Sequence, residues 1–127
     1  MKELKIESTP RTPFLHFDPN TGRLEMKGRS TPDNALGFFK KLFEWLAEYK
    51  LYPNKETALH IQLEYFNTSS SKCLFDIFKT LIELNGEKSK VSVVWYYNGE
   101  DDDMKETGDD YKSMINLPFT MVNTAEE

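Results

Sequence analysis

The run Leu59-His60-Ile61-Gln62-Leu63-Glu64-Tyr65-Phe66-Asn67-Thr68-Ser69-Ser70-Ser71-Lys72 decides how the chain is read. Apolar and polar residues alternate from Leu59 to Leu63, the period of a strand with one face on a core. Beyond it, Leu74, Ile77, Phe78, Leu81 and Leu84 recur at steps of three and four, which predicts an amphipathic helix over 72–84 stopped by Asn85-Gly86. Between the two stand the adjacent hydroxyls of Thr68, Ser69, Ser70 and Ser71. A Thr or Ser at a helix N-cap accepts a hydrogen bond from an unpaired backbone N–H, a contribution of about 1 kcal/mol. One hydroxyl suffices for that. The free N–H groups and partial positive charge of a helix N-terminus also favour an added phosphate, so the residues alone leave two roles open, cap and modification site.

Working outward, Phe14-Leu15-His16-Phe17 and Arg23-Leu24-Glu25-Met26-Lys27 read as an antiparallel hairpin around the turn residues Pro19, Asn20 and Gly22. His16 and His60 fall in strands and take no catalytic role in this reading. Thr31-Pro32 looks like a helix start, with Thr31 as N-cap and Pro32 first in the helix. Leu36, Phe39, Leu42, Phe43, Leu46 and Tyr49 then form one apolar face, flanked by Phe38 and Trp45, which are either the edge of the core or an aromatic stripe for a partner. After the 72–84 helix, whose Cys73 reads as a small buried hydrophobe, Val91-Ser92-Val93-Val94-Trp95-Tyr96-Tyr97 is the clearest strand. The acidic run Glu100-Asp101-Asp102-Asp103 lacks the ligand spacing and glycine of an EF-hand. It suits the N-terminus of a third helix over 102–113, or a surface that steers a basic partner. A last strand is expected over 117–122. The order is β-β-α-β-α-β-α-β, an α/β (α+β) fold with a mixed sheet and helices mainly on one face. Residues 1–11 read as a flexible arm, 12–122 as the domain and 123–127 as a tail.

With 127 residues and 13% aromatics, the chain has the material for one core. A net charge of −5 argues against a sequence-independent grip on nucleic acid. One cysteine permits neither an internal disulfide nor a cysteine-rich metal site. The first 13 residues lack the apolar core of a secretory signal, and no run approaches the roughly 20 apolar residues of a membrane span, so a cytoplasmic location without membrane attachment is the expectation. No nucleophile elbow, phosphate-binding loop, dinucleotide turn or metalloprotease helix is present. A binding or regulatory module is therefore expected rather than an enzyme, with no cofactor and no metal.

Phe17-Asp18-Pro19 with Thr21-Gly22-Arg23-Leu24, Pro32-Asp33-Asn34, Leu42-Phe43-Glu44-Trp45-Leu46, the junction Tyr65 to Lys72, Val94-Trp95-Tyr96-Tyr97 before an acidic loop, and Leu117-Pro118-Phe119 come in one order over about residues 12–122. In that order they resemble the SiaC family of bacterial regulatory phosphoproteins, similar in fold to the STAS-domain anti-sigma factor antagonists. The resemblance implies phosphorylation at Thr68, with Asn67, Ser69, Ser70, Ser71 and Lys72 forming the surface around it. It also implies a dedicated protein kinase, a PP2C-type phosphatase, and a GGDEF diguanylate cyclase that the unphosphorylated form binds and stimulates. An anti-sigma factor as effector is the alternative. A domain that uses the acidic loop to bind a metal or ligand is a third reading. Phe38, Trp45, Asp101, Asp102 and Asp103 are the further candidates for a partner surface.

Overall fold

Strand alternation and helical spacing resolve, in a computed structural model that describes residues 1–126, into β1 (Leu4–Ile6), β2 (Phe14–Phe17), β3 (Arg23–Ser30), α1 (Ala35–Tyr49), β4 (Glu56–Phe66), α2 (Thr68–Leu84), β5 (Lys90–Tyr97), α3 (Asp102–Met114) and β6 (Phe119–Asn123), then a single 3-10 turn, Thr124–Glu126. The strands stand in one sheet in chain order. β1, β2 and β3 are antiparallel neighbours, whereas β3 to β6 are parallel and each step needs a crossover, supplied by α1, α2 and α3. Crossovers of one hand that all advance in the same direction place their helices on the same side of the sheet.

Burial follows from that arrangement. Leu15, Phe17, Leu24, Met26, Leu59, Ile61, Val93 and Trp95 point under the helices and are essentially inaccessible. They meet Phe39, Leu42, Leu46 and Tyr49 of α1 and Cys73, Leu74, Ile77, Phe78 and Leu81 of α2 in one core. Burial also pushes the Cys73 thiol up from its ordinary pKa, helped by Asp76, so this cysteine packs as a hydrophobe. Four buried polar residues fall into two hydrogen-bonded groups. Ser30 meets Ser70 where the parallel strands end, and Thr57 meets Ser89 and the Tyr49 phenol where they begin.

Three sequence expectations are corrected at element ends. The arm over 1–11 contains β1, whose Leu4 pairs with Phe17 and Ile6 with Leu15, and the Trp45 indole N–H donates to the Lys2 carbonyl at 2.9 Å. Of the expected tail over 123–127, Asn123 belongs to β6 opposite Tyr97 and the Thr124 hydroxyl donates to the Tyr97 carbonyl, while residue 127 lies outside the described residues. Helix α1 does not start at Thr31-Pro32. The Thr31 N–H is taken by the Arg11 carbonyl and the Pro32 carbonyl by Asn67, while Asn34 caps the helix through its side chain, at 3.1 Å from the Gly37 N–H.

Among the described residues, α1, α2 and α3 leave the opposite face of the sheet uncovered. One row crosses all six strands there: Lys5, His16, Glu25, His60, Val94 and Thr120. His60 lies between Arg23, 3.1 Å from its Nε2, and the Tyr96 phenol, 2.8 Å from its Nδ1. Burial, and then the Arg23 cation, lower the His60 pKa below the ordinary value, with Glu25 opposing. The unfolded chain thus takes up a proton at a pH where folded His60 does not, so stability is complete above the unfolded pKa of about 6.5 and declines as pH falls below it. Replacing His60 with Gln should flatten that decline, read as a smaller difference in urea midpoint between about pH 7.5 and 5.5 than the unmodified protein shows.

Trp95 anchors the β5 to β6 end, stacked on Phe119 and tilted against Tyr111, with its indole N–H donating to the Met104 carbonyl at 3.2 Å. Helix α3 reaches it through Gly108, where a Cβ would lie 2.5 Å from the indole and 2.7 Å from the Met121 methyl. Gly108→Ala should gain up to about 1 kcal/mol of helix propensity but lose about 1–3 kcal/mol to overpacking. A net fall of a few degrees in Tm is expected in thermal unfolding.

Candidate functional site

The site is made where β4 ends. Glu64 and Tyr65 are consecutive exposed residues, and the β3–β4 register skips one residue between Gly28 paired with Leu63 and Arg29 paired with Tyr65. This bulge reverses the alternation, so Phe66 turns back toward Trp95 (edge-on, 6.3 Å) and Asn67 leaves the sheet beside the end of β3. Asn67 is the N-cap of α2: its side-chain oxygen accepts from the Ser70 N–H at 2.9 Å. Its backbone N–H donates to the Ser30 carbonyl, and its amide to the Pro32 carbonyl. The expected Thr or Ser cap is therefore replaced by Asn67, and the helix begins four residues earlier than the apolar spacing suggested, at Thr68. The hydroxyl residues Thr68 to Ser71 have too few apolar neighbours to register as helix, yet they form its first turn.

The four hydroxyls have different surroundings. Ser70 is fully buried. Its proton goes to the Ser30 carbonyl at 3.0 Å, so the Ser30 hydroxyl donates to Ser70 Oγ at 2.7 Å. The Ser71 hydroxyl donates to the Thr68 carbonyl. Thr68 and Ser69 are exposed, and no other described residue holds their side-chain hydroxyls. Ser69 borders a groove of about 280 Å³ between the starts of α1 and α2, with Asp33, Leu36, Lys72, Cys73 and Asp76. Thr68 stands outside this lining. Lys72 lies one turn after Thr68 on the same helix face and has no ion pair among the described residues, whereas Asp33 is held by Arg11 at 2.9 Å. Leu36, which lines the same groove as Ser69, is exposed, as are Tyr65 at the end of β4 and Phe75 further along α2, with the Arg29 guanidinium 5.3 Å from the Tyr65 ring centre.

The other candidate residues lie apart from this turn. Trp45 is only 8% exposed, stacked on Tyr49 and edge-on to Phe17, which makes it core and leaves it little to offer a partner. Phe38 is half-buried against Phe39. Asp101 caps α3 by accepting from the Met104 N–H at 3.0 Å, and Asp102 and Asp103 are exposed in its first turn. Among the described residues, no group of three or more His, Cys, Asp or Glu side chains is placed to hold a metal ion. No helix of the described residues is long and apolar enough to cross a membrane.

The domain is thus a mixed sheet covered by three helices among the described residues, with a helix-capping turn that exposes hydroxyls where the parallel strands end. Residues 6–124 match the model of the SiaC family regulatory phosphoproteins, and the chain belongs to that family. It is 30% identical over 121 residues to an uncharacterized protein of Pseudomonas aeruginosa strain UCBPP-PA14, covering 95% of this chain and 96% of that protein. The crystal structure of apo-SiaC from P. aeruginosa superposes with a TM-score of 0.88 at 30% identity, over 96% of this chain and 99% of that one. SiaC in its crystal structure with the diguanylate cyclase SiaD, of which it is the activator, matches with a TM-score of 0.88 at 30% identity, over 94% and 98% of the two chains. The chain is accordingly a regulator and not itself an enzyme.

The buried hydroxyl pair carries a direct test. Ser70→Ala leaves the Ser30 hydroxyl without an acceptor in a dry site, which should reduce stability by about 1–3 kcal/mol. Ser30→Ala with Ser70→Ala should lose less than the two single losses added together, measured as a coupling energy in urea unfolding.

Proposed function

We propose that the unphosphorylated protein binds and stimulates a GGDEF diguanylate cyclase, and that phosphorylation of Thr68 blocks this binding. A cognate protein kinase adds the phosphate and a PP2C-type phosphatase removes it. The observation that carries the reading is the sorting of hydroxyls in the first turn of α2: Ser70 is sealed into the core and Ser71 is hydrogen-bonded to the backbone, while Thr68 projects free from the first helical position. Ser69 is also exposed, in a groove of mixed charge that it shares with Asp33, Lys72 and Asp76. The complex of SiaC with SiaD supports the choice of effector over an anti-sigma factor.

Phosphate adds about −1.5 to −2 charge and three acceptor oxygens at Thr68. The helix N-terminus favours that charge, and Lys72 is within one turn to pair with it, so the fold is not opposed by the modification. A partner that covers the uncharged turn and the exposed Leu36 beside it would instead have to desolvate an unpaired dianion. The same chemistry thus tolerates the phosphate in the free protein and rejects it in the complex.

Incubation with the cognate kinase should put phosphate on Thr68, read by mass spectrometry, and abolish cyclase stimulation. Thr68→Ala should bind and stimulate regardless of the kinase. Thr68→Glu, with one charge and fewer oxygens, should weaken binding by about tenfold or more, measured by calorimetry. Full phosphorylation of the Thr68→Ala protein would overturn the site, and recovery of an anti-sigma factor in place of a GGDEF protein would overturn the effector.

A further inference from the structure

The helix-free face of the sheet holds a concavity of about 200 Å³, lined among others by Arg23, Glu25, Lys27, His60, Gln62 and Tyr96. Its hydrogen bonds can be ordered from proton counts alone. Arginine only donates, so His60 Nε2, 3.1 Å from Arg23 Nη1, must present a lone pair. The imidazole proton is then on Nδ1 and is donated to the Tyr96 phenol oxygen at 2.8 Å. The phenol already receives one hydrogen bond there, and its own O–H is left over. Among the described residues nothing accepts it. The stacked His60 and Tyr96 rings, 5.9 Å apart, hold that donor in place at the concavity.

The charges around it have the same bias. Arg23 and Lys27 face a single carboxylate, Glu25, which touches Arg23 only loosely at 3.6 Å, and Lys27 has no ion pair among the described residues. Burial and then the Arg23 cation lower the His60 pKa, and the histidine, held between Arg23 and the phenol, serves to position Tyr96. A chain with a net charge of −5 thus carries a local excess of cations and unmatched donors in a hollow of its own sheet. Guanidinium, ammonium, phenol and the Gln62 amide together form a donor set that suits an oxyanion. A concavity of this volume accommodates a small ligand.

We propose that this concavity is a second binding site, remote in role from the Thr68 turn, for a small oxyanion bearing a carboxylate or a phosphate. Arg23 and Lys27 supply the charge, and Tyr96, oriented by His60, supplies the hydrogen bond that fixes the ligand. The site gives the regulator an input that does not depend on its kinase.

The test is titration of isotopically labelled protein with sodium phosphate and, separately, sodium acetate, against sodium chloride at matched ionic strength and about pH 7.5, above the ordinary histidine range. Amide spectra should show saturable shifts at Arg23 to Lys27, His60 to Gln62 and Tyr96 with at least one of the two anions, which also tells carboxylate from phosphate. Tyr96→Phe and Arg23→Gln, their folding verified from the dispersion of the same spectra, should each weaken binding about tenfold or more, and Thr68→Ala should leave it unchanged. The proposal is overturned if neither anion gives saturable shifts beyond those of chloride, if both variants titrate like the unmodified protein, or if the shifts centre on the first turn of α2.

Discussion

Two hydroxyls with no access to water determine where the first turn of α2 stands. Ser30 ends β3 and Ser70 sits in the first turn of α2, and each donates in the direction that satisfies the other. An unmade hydrogen bond in such a place costs more than a made one contributes, so the pair acts as a constraint on position more than as a source of stability. Asn67 works with it by tying its own backbone to Ser30 and its side chain to both Pro32 and Ser70. Together they hold the helix start rigidly against the sheet, and Thr68 is exposed because Ser70, two residues on, cannot be.

The parallel half of the sheet is closed by polar pairs at both ends, with apolar packing between. Thr57, Ser89 and Tyr49 form the pair group at the starting edge, opposite the Ser30 and Ser70 end. Each group has to bring particular partners together, Ser30 with Ser70 at one end and Thr57 with Ser89 and Tyr49 at the other. Register is therefore specified at two places, and the hydrophobic residues between them have only to fill space.

Much of this could be read before the fold was known, and the shortfalls have physical causes. The β4 alternation and the α1 and α2 apolar spacings were plain, the acidic run from Glu100 marked the start of α3, and a sheet with helices on one face followed from the element order. Leu4–Ile6 escaped notice because a three-residue edge strand has too short a pattern to show a period. Thr31-Pro32 carries a helix-start signature that neighbouring chain overrides, by taking the N–H and carbonyl groups a helix would need. The true cap, Asn67, was in the quoted stretch, but hydroxyls drew attention from the amide beside them. The Glu64 bulge had a visible trace, the break in alternation after Leu63, without indicating which way the chain would turn. The hollow around Tyr96 had none, since Arg23, His60 and Tyr96 come from three strands and meet only through register.

All three helices begin on the same rim of the sheet, capped by Asn34, Asn67 and Asp101, because each follows a parallel strand. The caps face inward to their own backbones, while their neighbours Asp33, Leu36, Thr68, Asp102 and Asp103 face out. The side chains that build the three turns are thus different from those the same turns present to solvent. Where one cell carries several copies of such a domain, exchange of the outward residues alone can insulate their signalling routes from one another, with the cap chemistry that builds the scaffold left untouched.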